Sequence, residues 1–271
     1  LFREKEYNGS IEIFKQVAAR DSLPEVLALI GDGYKNLGQN DSAIVYYDAV
    51  LRMKPYHAPT ISKKADIMLA AKQYDPVAEM CLEYLAERPD DLTILPIYGL
   101  TRYLQERYAQ SIQTFFHMQE LGDDSYPVHY YLGMNYYSMN YWPDAIPELE
   151  KAYQIDSSDV TLVYQLAHAK SHISHAGAKE LNAESERLYS KALDMLKPSP
   201  AMMHNIYGSM AMARHMSERF EDAIRYYELS YQYNPKNISA LSSIGYCYEK
   251  LKNYRKALEY YERYMKVGKP G

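Results

Sequence analysis

The chain has 271 residues, a formal net charge of −5 and a sequence pI of about 5.9. This balance argues against nucleic acid as the main ligand, because phosphate backbones are bound by basic surfaces. No stretch approaches the ~20 apolar residues of a membrane-spanning helix, so we expect no membrane insertion of this fragment. The 30 tyrosines and 5 phenylalanines supply apolar surface for a long core, although each tyrosine hydroxyl needs water or a hydrogen-bond partner.

In chain order, the first complete unit is a pair of amphipathic helices between Pro24 and His57. In each helix apolar residues recur at helical spacing, residues 38–40 separate the two helices, and Pro55 ends the second. The first stripe comprises Leu27, Ile30, Gly31 and Tyr34, and the second comprises Ala43, Tyr47, Val50 and Leu51. Upstream, residues 1–23 look like the second helix of a partial unit.

The same pair of helices recurs along the chain with a fixed period. The equivalent residues Ala43, Val77, Ser111 and Ala145 are spaced by 34 residues each, which indicates stacked helical hairpins. We assign units to residues 24–57, 58–91, 92–125, 126–159, 160–200, 201–237 and 238–271.

Two steps of the repeat are longer than 34 residues. Ala145 to Ser185 is 40 residues and Ser185 to Ala223 is 38 residues. We place the extra residues around 171–182 and 212–218, which predicts longer first helices or bulged loops in those two hairpins. Pro147 also departs from the pattern, and it predicts a second helix that begins late or kinks.

The repeated residues resemble the tetratricopeptide repeat (TPR). The pattern is clearest in Leu132, Gly133, Tyr136, Trp142, Ala145 and Ala152, and again in Ile244, Gly245, Tyr248, Tyr254, Ala257 and Tyr261. The resemblance implies an all-α, right-handed superhelical solenoid of antiparallel helical hairpins, with residues 1–271 forming a single array. It also implies a protein-protein interaction scaffold. The excess of tyrosine over phenylalanine fits a bacterial TPR protein, either cytoplasmic or exported.

We expect no enzymatic activity and no cofactor. The sequence has no Gly-rich phosphate loop, no His-Glu-x-x-His, no Gly-x-Ser-x-Gly and no Cys-x-x-Cys. Its many acidic residues fit solvated helix faces.

The TPR resemblance implies that the first helix of each hairpin lines a concave groove. Residues off the packing stripe of these helices are then the candidates for contact with a partner peptide or domain, with Tyr130 beside Tyr164 and Met134 beside His168. The predicted partner-binding residues are Tyr130, Tyr131, Met134, Tyr137, Tyr164, Gln165, His168, His172, Asn205 and Tyr246. Their aromatic and weakly polar chemistry suits a peptide.

Three histidines support an alternative hypothesis. His168, His172 and His175 share one side of a helix, and imidazole is a common metal ligand, so this cluster would suit a metal- or small-ligand-responsive module. A further alternative is the recognition arm of a larger enzyme. The chain begins at Leu1 rather than Met, so we interpret it as a fragment without any signal peptide. Uncapped ends of the array would allow oligomers.

Overall fold

The computed structural model describes residues 2–21, 23–173, 178–195 and 199–268. In these ranges every regular element is an α-helix, which confirms the predicted all-α solenoid of helical repeats. The chain divides into two compact units, residues 1–131 and residues 132–271. None of the helices in the described ranges is both long enough and apolar enough to cross a membrane.

The described residues of the first unit form seven complete helices and the start of an eighth. They are α1 (Phe2–Arg20), α2 (Pro24–Asn36), α3 (Asn40–Met53), α4 (Ala58–Ala70), α5 (Tyr74–Glu87), α6 (Leu95–Leu104), α7 (Tyr108–Glu120) and α8 (Tyr126–Ser138), which continues into the second unit. The second unit adds α9 (Trp142–Ile155), α10 (Val160–Ser171), α11 (Ala178–Met195), α12 (Pro200–Met216), α13 (Phe220–Tyr233), α14 (Ser239–Lys250) and α15 (Tyr254–Val267).

The helices pair because a short turn with one left-handed residue joins the two members of a hairpin. At the turn between α2 and α3, Gly38 has φ 73° and the Gln39 amide donates to the Tyr34 carbonyl at 2.9 Å. The same bond recurs at the turns in which Lys72, Glu106, Asn140, Glu218 and Lys252 have φ between 57° and 60°. Residues other than glycine are strained in this left-handed conformation, so the hydrogen bond and the packing of the two helices must stabilise it.

The core of a hairpin forms where a small residue of the first helix faces a large residue of the second. A Cβ atom added at Gly133 would lie 2.6 Å from Cδ2 of Leu149 and 3.0 Å from the Leu149 backbone nitrogen. The same close approach pairs Gly31 with Tyr47, Gly99 with Phe115 and Gly245 with Tyr261. These glycines therefore set the distance between the paired helices.

The structure corrects two expectations about the extra residues: the longer first helix of the α10–α11 hairpin, and the position 212–218 in the next hairpin. In the hairpin of α10 and α11 the second helix is the long one, with 18 residues against 12 in the first. Helix α12 is long, as predicted, at 17 residues. However, its turn at Glu218 is the ordinary one, so its extra residues lie at the Pro200 end and not around 212–218. The period fixes how many residues are added in a unit, but not on which side of the turn they fall.

The predicted late start of the helix that contains Pro147 is wrong. Helix α9 begins at Trp142 and includes Pro147. Because Pro147 has no backbone N–H, the Pro143 carbonyl lacks its helical hydrogen-bond donor. Both prolines are exposed, so water can hydrogen-bond that carbonyl instead.

Candidate functional site

A cavity of about 330 Å³ opens in the second unit among the first helices α10, α12 and α14. We call it the α10–α12 cavity. Its lining is Tyr164, His168, Ser171, His172, His204, Asn205, Gly208, Ser209, Met212, Tyr227, Ser230, Asn237, Ser239, Ala240 and Ser243. No Asp, Glu, Lys or Arg occurs among these lining residues, so the described wall is made of rings, hydroxyls and amides.

A cluster of aromatic rings forms the α10 wall of the cavity. The ring of His168 lies 5.5 Å from that of Tyr137, 5.6 Å from that of Trp142 and 6.0 Å from that of Tyr164. The His172 ring lies 4.2 Å from His168 and 4.9 Å from Trp142. The i, i+4 spacing along α10 places Tyr164, His168 and His172 in one row, and the start of α9 supplies Trp142.

Burial keeps His168 uncharged. Its Nδ1 atom lies 3.1 Å from the Tyr137 hydroxyl, within hydrogen-bond distance. Desolvation, with a smaller contribution from His172, lowers the pKa of His168 to about 4. At neutral pH this residue is therefore a polar aromatic ring and not a cation.

The neighbouring His172 presents a hydrogen-bond acceptor to solvent. Its Nδ1 lies 2.8 Å from the backbone carbonyl oxygen of His168. Because a carbonyl can only accept, this nitrogen carries the proton, and in the neutral ring Nε2 is left as an acceptor. The His172 side chain is exposed, so a bound segment can reach that atom.

Tyrosine and serine hydroxyls also form part of the cavity wall. Tyr164 and Ser209 both line the cavity, and the Tyr164 ring lies 5.8 Å from that of the fully buried Tyr189. Burial raises the pKa of each tyrosine. Ser171 Oγ lies 3.5 Å from the Tyr189 hydroxyl. The hydroxyls of Tyr164, Ser171 and Ser209 are neutral, so they can exchange hydrogen bonds with a ligand without moving charge.

On the opposite side, His204 is held in one tautomer. Its Nδ1 lies 2.9 Å from the Ser230 carbonyl oxygen and must donate to it, while Nε2 lies 3.0 Å from the Asn237 amide nitrogen and accepts. The adjacent Asn205 side chain is exposed and forms no hydrogen bond with the described residues. Asn205 therefore offers a free amide donor and acceptor at the rim.

The structure brings together only some of the predicted partner-binding residues. Tyr164, His168, His172 and Asn205 line the α10–α12 cavity, and Tyr137 contacts it through His168. The remaining predicted residues lie in other surroundings, and whether any of the ten contacts a partner stays a prediction.

Met134 is only 6% exposed, so little of its side chain is accessible. The Oε1 atom of Gln165 is buried and has no hydrogen-bond partner among the described residues. Tyr246 stacks on His215 at 5.0 Å between ring centroids and lies under the ammonium of Lys250, away from the cavity lining.

Tyr130 and Tyr131 belong to the first unit. The Tyr130 ring stacks on Tyr126 at 5.5 Å, and the Tyr131 ring stacks on Phe115 at 5.3 Å. Burial also raises the pKa of Tyr131, so its ring serves the packing of the α6–α8 region.

Sequence reasoning missed Trp142, His204, Asn237 and Ser243. In the sequence Trp142 fits the repeat pattern and gives no separate signal, and the extra length of α12 obscures the register of His204. Only the hydrogen bonds of the folded chain connect Asn237 to His204.

The described part of the chain contains no group of three His, Cys, Asp or Glu side chains arranged to hold a metal ion. His175, the third member of the predicted cluster, lies outside the described residues. In His168 and His172 the Nδ1 atoms already face the Tyr137 hydroxyl and a backbone carbonyl.

Comparison with known proteins identifies the repeats. Family models of the tetratricopeptide repeat match residues 24–57 and 216–266. No curated protein is significantly similar to the chain in sequence.

Solved structures with a similar fold include three TPR proteins of low sequence identity. The C-terminal part of a TPR repeat-containing protein from Cytophaga hutchinsonii has a TM-score of 0.63 and 15% identity, and the match covers 90% of this chain and 96% of that one. YrrB, a TPR protein with an unusual peptide-binding site, has a TM-score of 0.61 and 13% identity, covering 72% and 95%. A tetratricopeptide repeat protein from Parabacteroides merdae has a TM-score of 0.58 and 12% identity, covering 91% and 99%.

Proposed function

Because this chain is a tetratricopeptide repeat protein, we propose that it is a protein-interaction scaffold that binds an uncharged segment of a partner protein in the α10–α12 cavity. The observation that carries the proposal is the lining of that cavity. This open cavity is rich in hydroxyls and amides, and four of the residues that the sequence predicts to contact a partner line it. These four residues lie on α10, at its C-cap and on α12, which are successive first helices.

The chemistry of the wall favours a peptide over a charged metabolite. Tyrosine and histidine rings provide rigid apolar contact area, and hydroxyls and amides can pair with the N–H and C=O groups of a peptide backbone. A charged ligand would lose its hydration on entering the cavity and would find no counter-ion on the described wall. Burying a charge in this way costs several kcal/mol. The similar fold of YrrB, a protein with a peptide-binding site, supports the same class of ligand.

In the proposed mechanism the α10 row and α12 hold opposite sides of the bound segment. His172 Nε2 accepts from the partner backbone, Asn205 both donates and accepts, and the exposed Met212 side chain covers an apolar side chain of the partner. Neutral His168 forms a floor on which an uncharged side chain can pack. Binding energy comes from buried rings and satisfied hydrogen bonds, so we expect affinity to depend weakly on salt.

The test is affinity capture from lysate of the source organism with three baits. One bait is the wild type, and the second is His172→Ala/Asn205→Ala/Met212→Ala, which truncates exposed cavity residues. The third is Tyr254→Ala/Leu258→Ala/Met265→Ala, which removes exposed apolar side chains of α15 instead. We expect one protein to be retained by the first and third baits and lost by the second. Equal retention by all three would remove the cavity as the binding site.

A further inference from the structure

A second groove lies in the first unit. It is lined by α3 and α5, the second helices of two successive hairpins, and by the first helix α4. Its volume is about 620 Å³, and we call it the α3–α5 groove. Apolar side chains form its floor: Leu51, Ile61, Met68 and Met80. The contributions from α5 (residues 76, 79, 80, 83 and 84) follow the spacing of one helix face, so the groove runs along the helix axis.

The two rims of this groove carry opposite charges. On the α5 rim Glu79 and Glu83 are exposed at i, i+4, where like charges repel. Neither of these carboxylates forms an ion pair with any residue that the structure describes. On the α3 rim Asp48 accepts from Lys64 at 2.6 Å, which leaves the exposed Arg52 as the free charge of that side.

A related groove of the second unit shows how the chain supplies a cation to such a surface. The groove lined by α9, α10 and α11 has a volume of about 420 Å³. There Lys170 is buried and bridges Glu150, at 2.5 Å, and Glu184. Met68 precedes Lys170 by three periods of 34 residues, so it occupies the equivalent position in the first unit. The α3–α5 groove thus has an apolar floor where its counterpart has a lysine, and its acidic rim receives no cation from the described chain.

We propose that the α3–α5 groove binds an amphipathic helix of a partner protein, with lysine or arginine along the edge that faces α5. The groove is open and elongated, with two methionines in its floor, and helix-in-groove recognition uses such surfaces through apolar anchors at i, i+3, i+4 and i+7. A basic edge would neutralise Glu79 and Glu83, as Lys170 neutralises its two glutamates. Since this surface belongs to the first unit, the proposal does not depend on the α10–α12 cavity.

Two designed peptides test the proposal by fluorescence anisotropy. Both are 14-residue helices with a leucine face; one has lysine along one edge, and the other has glutamate at the same positions. We expect the wild type to prefer the lysine-edged peptide. Glu79→Lys/Glu83→Lys should weaken its binding by about tenfold and strengthen binding of the glutamate-edged peptide, because the complementary charges are exchanged.

Two further variants separate the groove from general electrostatics. Glu259→Lys/Glu262→Lys makes the same change in net charge at exposed positions of α15 and should leave the preference unchanged. Met80→Gln changes the floor without changing charge and should weaken binding several-fold. Circular dichroism checks that each variant is folded. Equal loss in the α15 variant, or unchanged binding by Met80→Gln, would overturn the proposal.

Discussion

Replacing Gly133 by alanine should destabilise the hairpin of α8 and α9, although alanine is the better helix former. At an exposed helical site this change stabilises by about 1 kcal/mol. Here the added Cβ would lie 2.6 Å from Leu149 Cδ2 and 3.0 Å from the Leu149 backbone nitrogen. Leu149 is fully buried, so α9 itself must move, and overpacking of this kind costs about 1–3 kcal/mol. Because the backbone of α9 and not only a side chain must shift, we place the cost in the upper part of this range. Subtracting the gain of about 1 kcal/mol leaves a net loss of about 1–2 kcal/mol.

Gly9→Ala is the matched control, because an added Cβ there meets nothing within 4 Å. The same substitution should stabilise α1 by up to about 1 kcal/mol, so the two variants should change stability in opposite directions. Urea unfolding can be followed by far-ultraviolet circular dichroism and by the fluorescence of Trp142, the single tryptophan, at the start of α9.

A double-mutant cycle checks the cause of the loss. Leu149→Ala removes the side-chain atoms that the new Cβ would meet most closely and leaves only the backbone nitrogen at 3.0 Å, so in that background Gly133→Ala should destabilise much less. A Gly133→Ala protein as stable as the wild type, or a loss of the same size in the Leu149→Ala background, would refute the close-packing argument.

Three other predictions concern the turns, the buried histidine and the cysteines. Glu106→Gly should stabilise the chain by about 0.5–1 kcal/mol, because glycine relieves the strain of φ 59°; unchanged or lower stability in urea would contradict this. For His168, the unfolded chain takes up a proton near pH 6.5, whereas burial lowers the pKa in the folded chain to about 4. Stability should therefore fall as pH drops from 6.5 to 4, by ~2 kcal/mol, and His168→Gln should lose that part of the pH dependence; identical profiles would refute it. Finally, Cys81 and Cys247 are free and buried, and burial raises their thiol pKa to about 12 and about 11. A disulfide reagent should label neither in the native protein and both in guanidinium; rapid native labelling would contradict their burial.

The hairpins could be predicted from the sequence because a fixed period and a helical stripe are local signals. The turns could not be predicted in the same detail. Glycine marks only one of the six left-handed turn residues named above, Gly38, and at Lys72 or Glu106 the packing of the two helices imposes the same conformation on a residue that disfavours it.

The candidate site could be predicted only in part, for a related reason. The i, i+4 register predicts that Tyr164, His168 and His172 lie side by side, and they do, since the first two belong to α10 and His172 is its C-cap. Register does not show which neighbours a ring contacts, so it could not predict that Tyr131 stacks on Phe115. His204 and Asn237 enter the site through a hydrogen bond between separate elements, which no local pattern encodes.

Site-specific photo-crosslinking in cells of the source organism tests the central claim most directly. A photoreactive phenylalanine analogue would replace either Asn205, at the rim of the α10–α12 cavity, or Tyr254, which is 65% exposed on α15. We expect a protein adduct from position 205 that position 254 does not give, and we expect this adduct to be lost when His172→Ala and Met212→Ala are added. An adduct from position 254 alone, or one from position 205 that survives both added substitutions, would contradict the assignment of partner binding to this cavity.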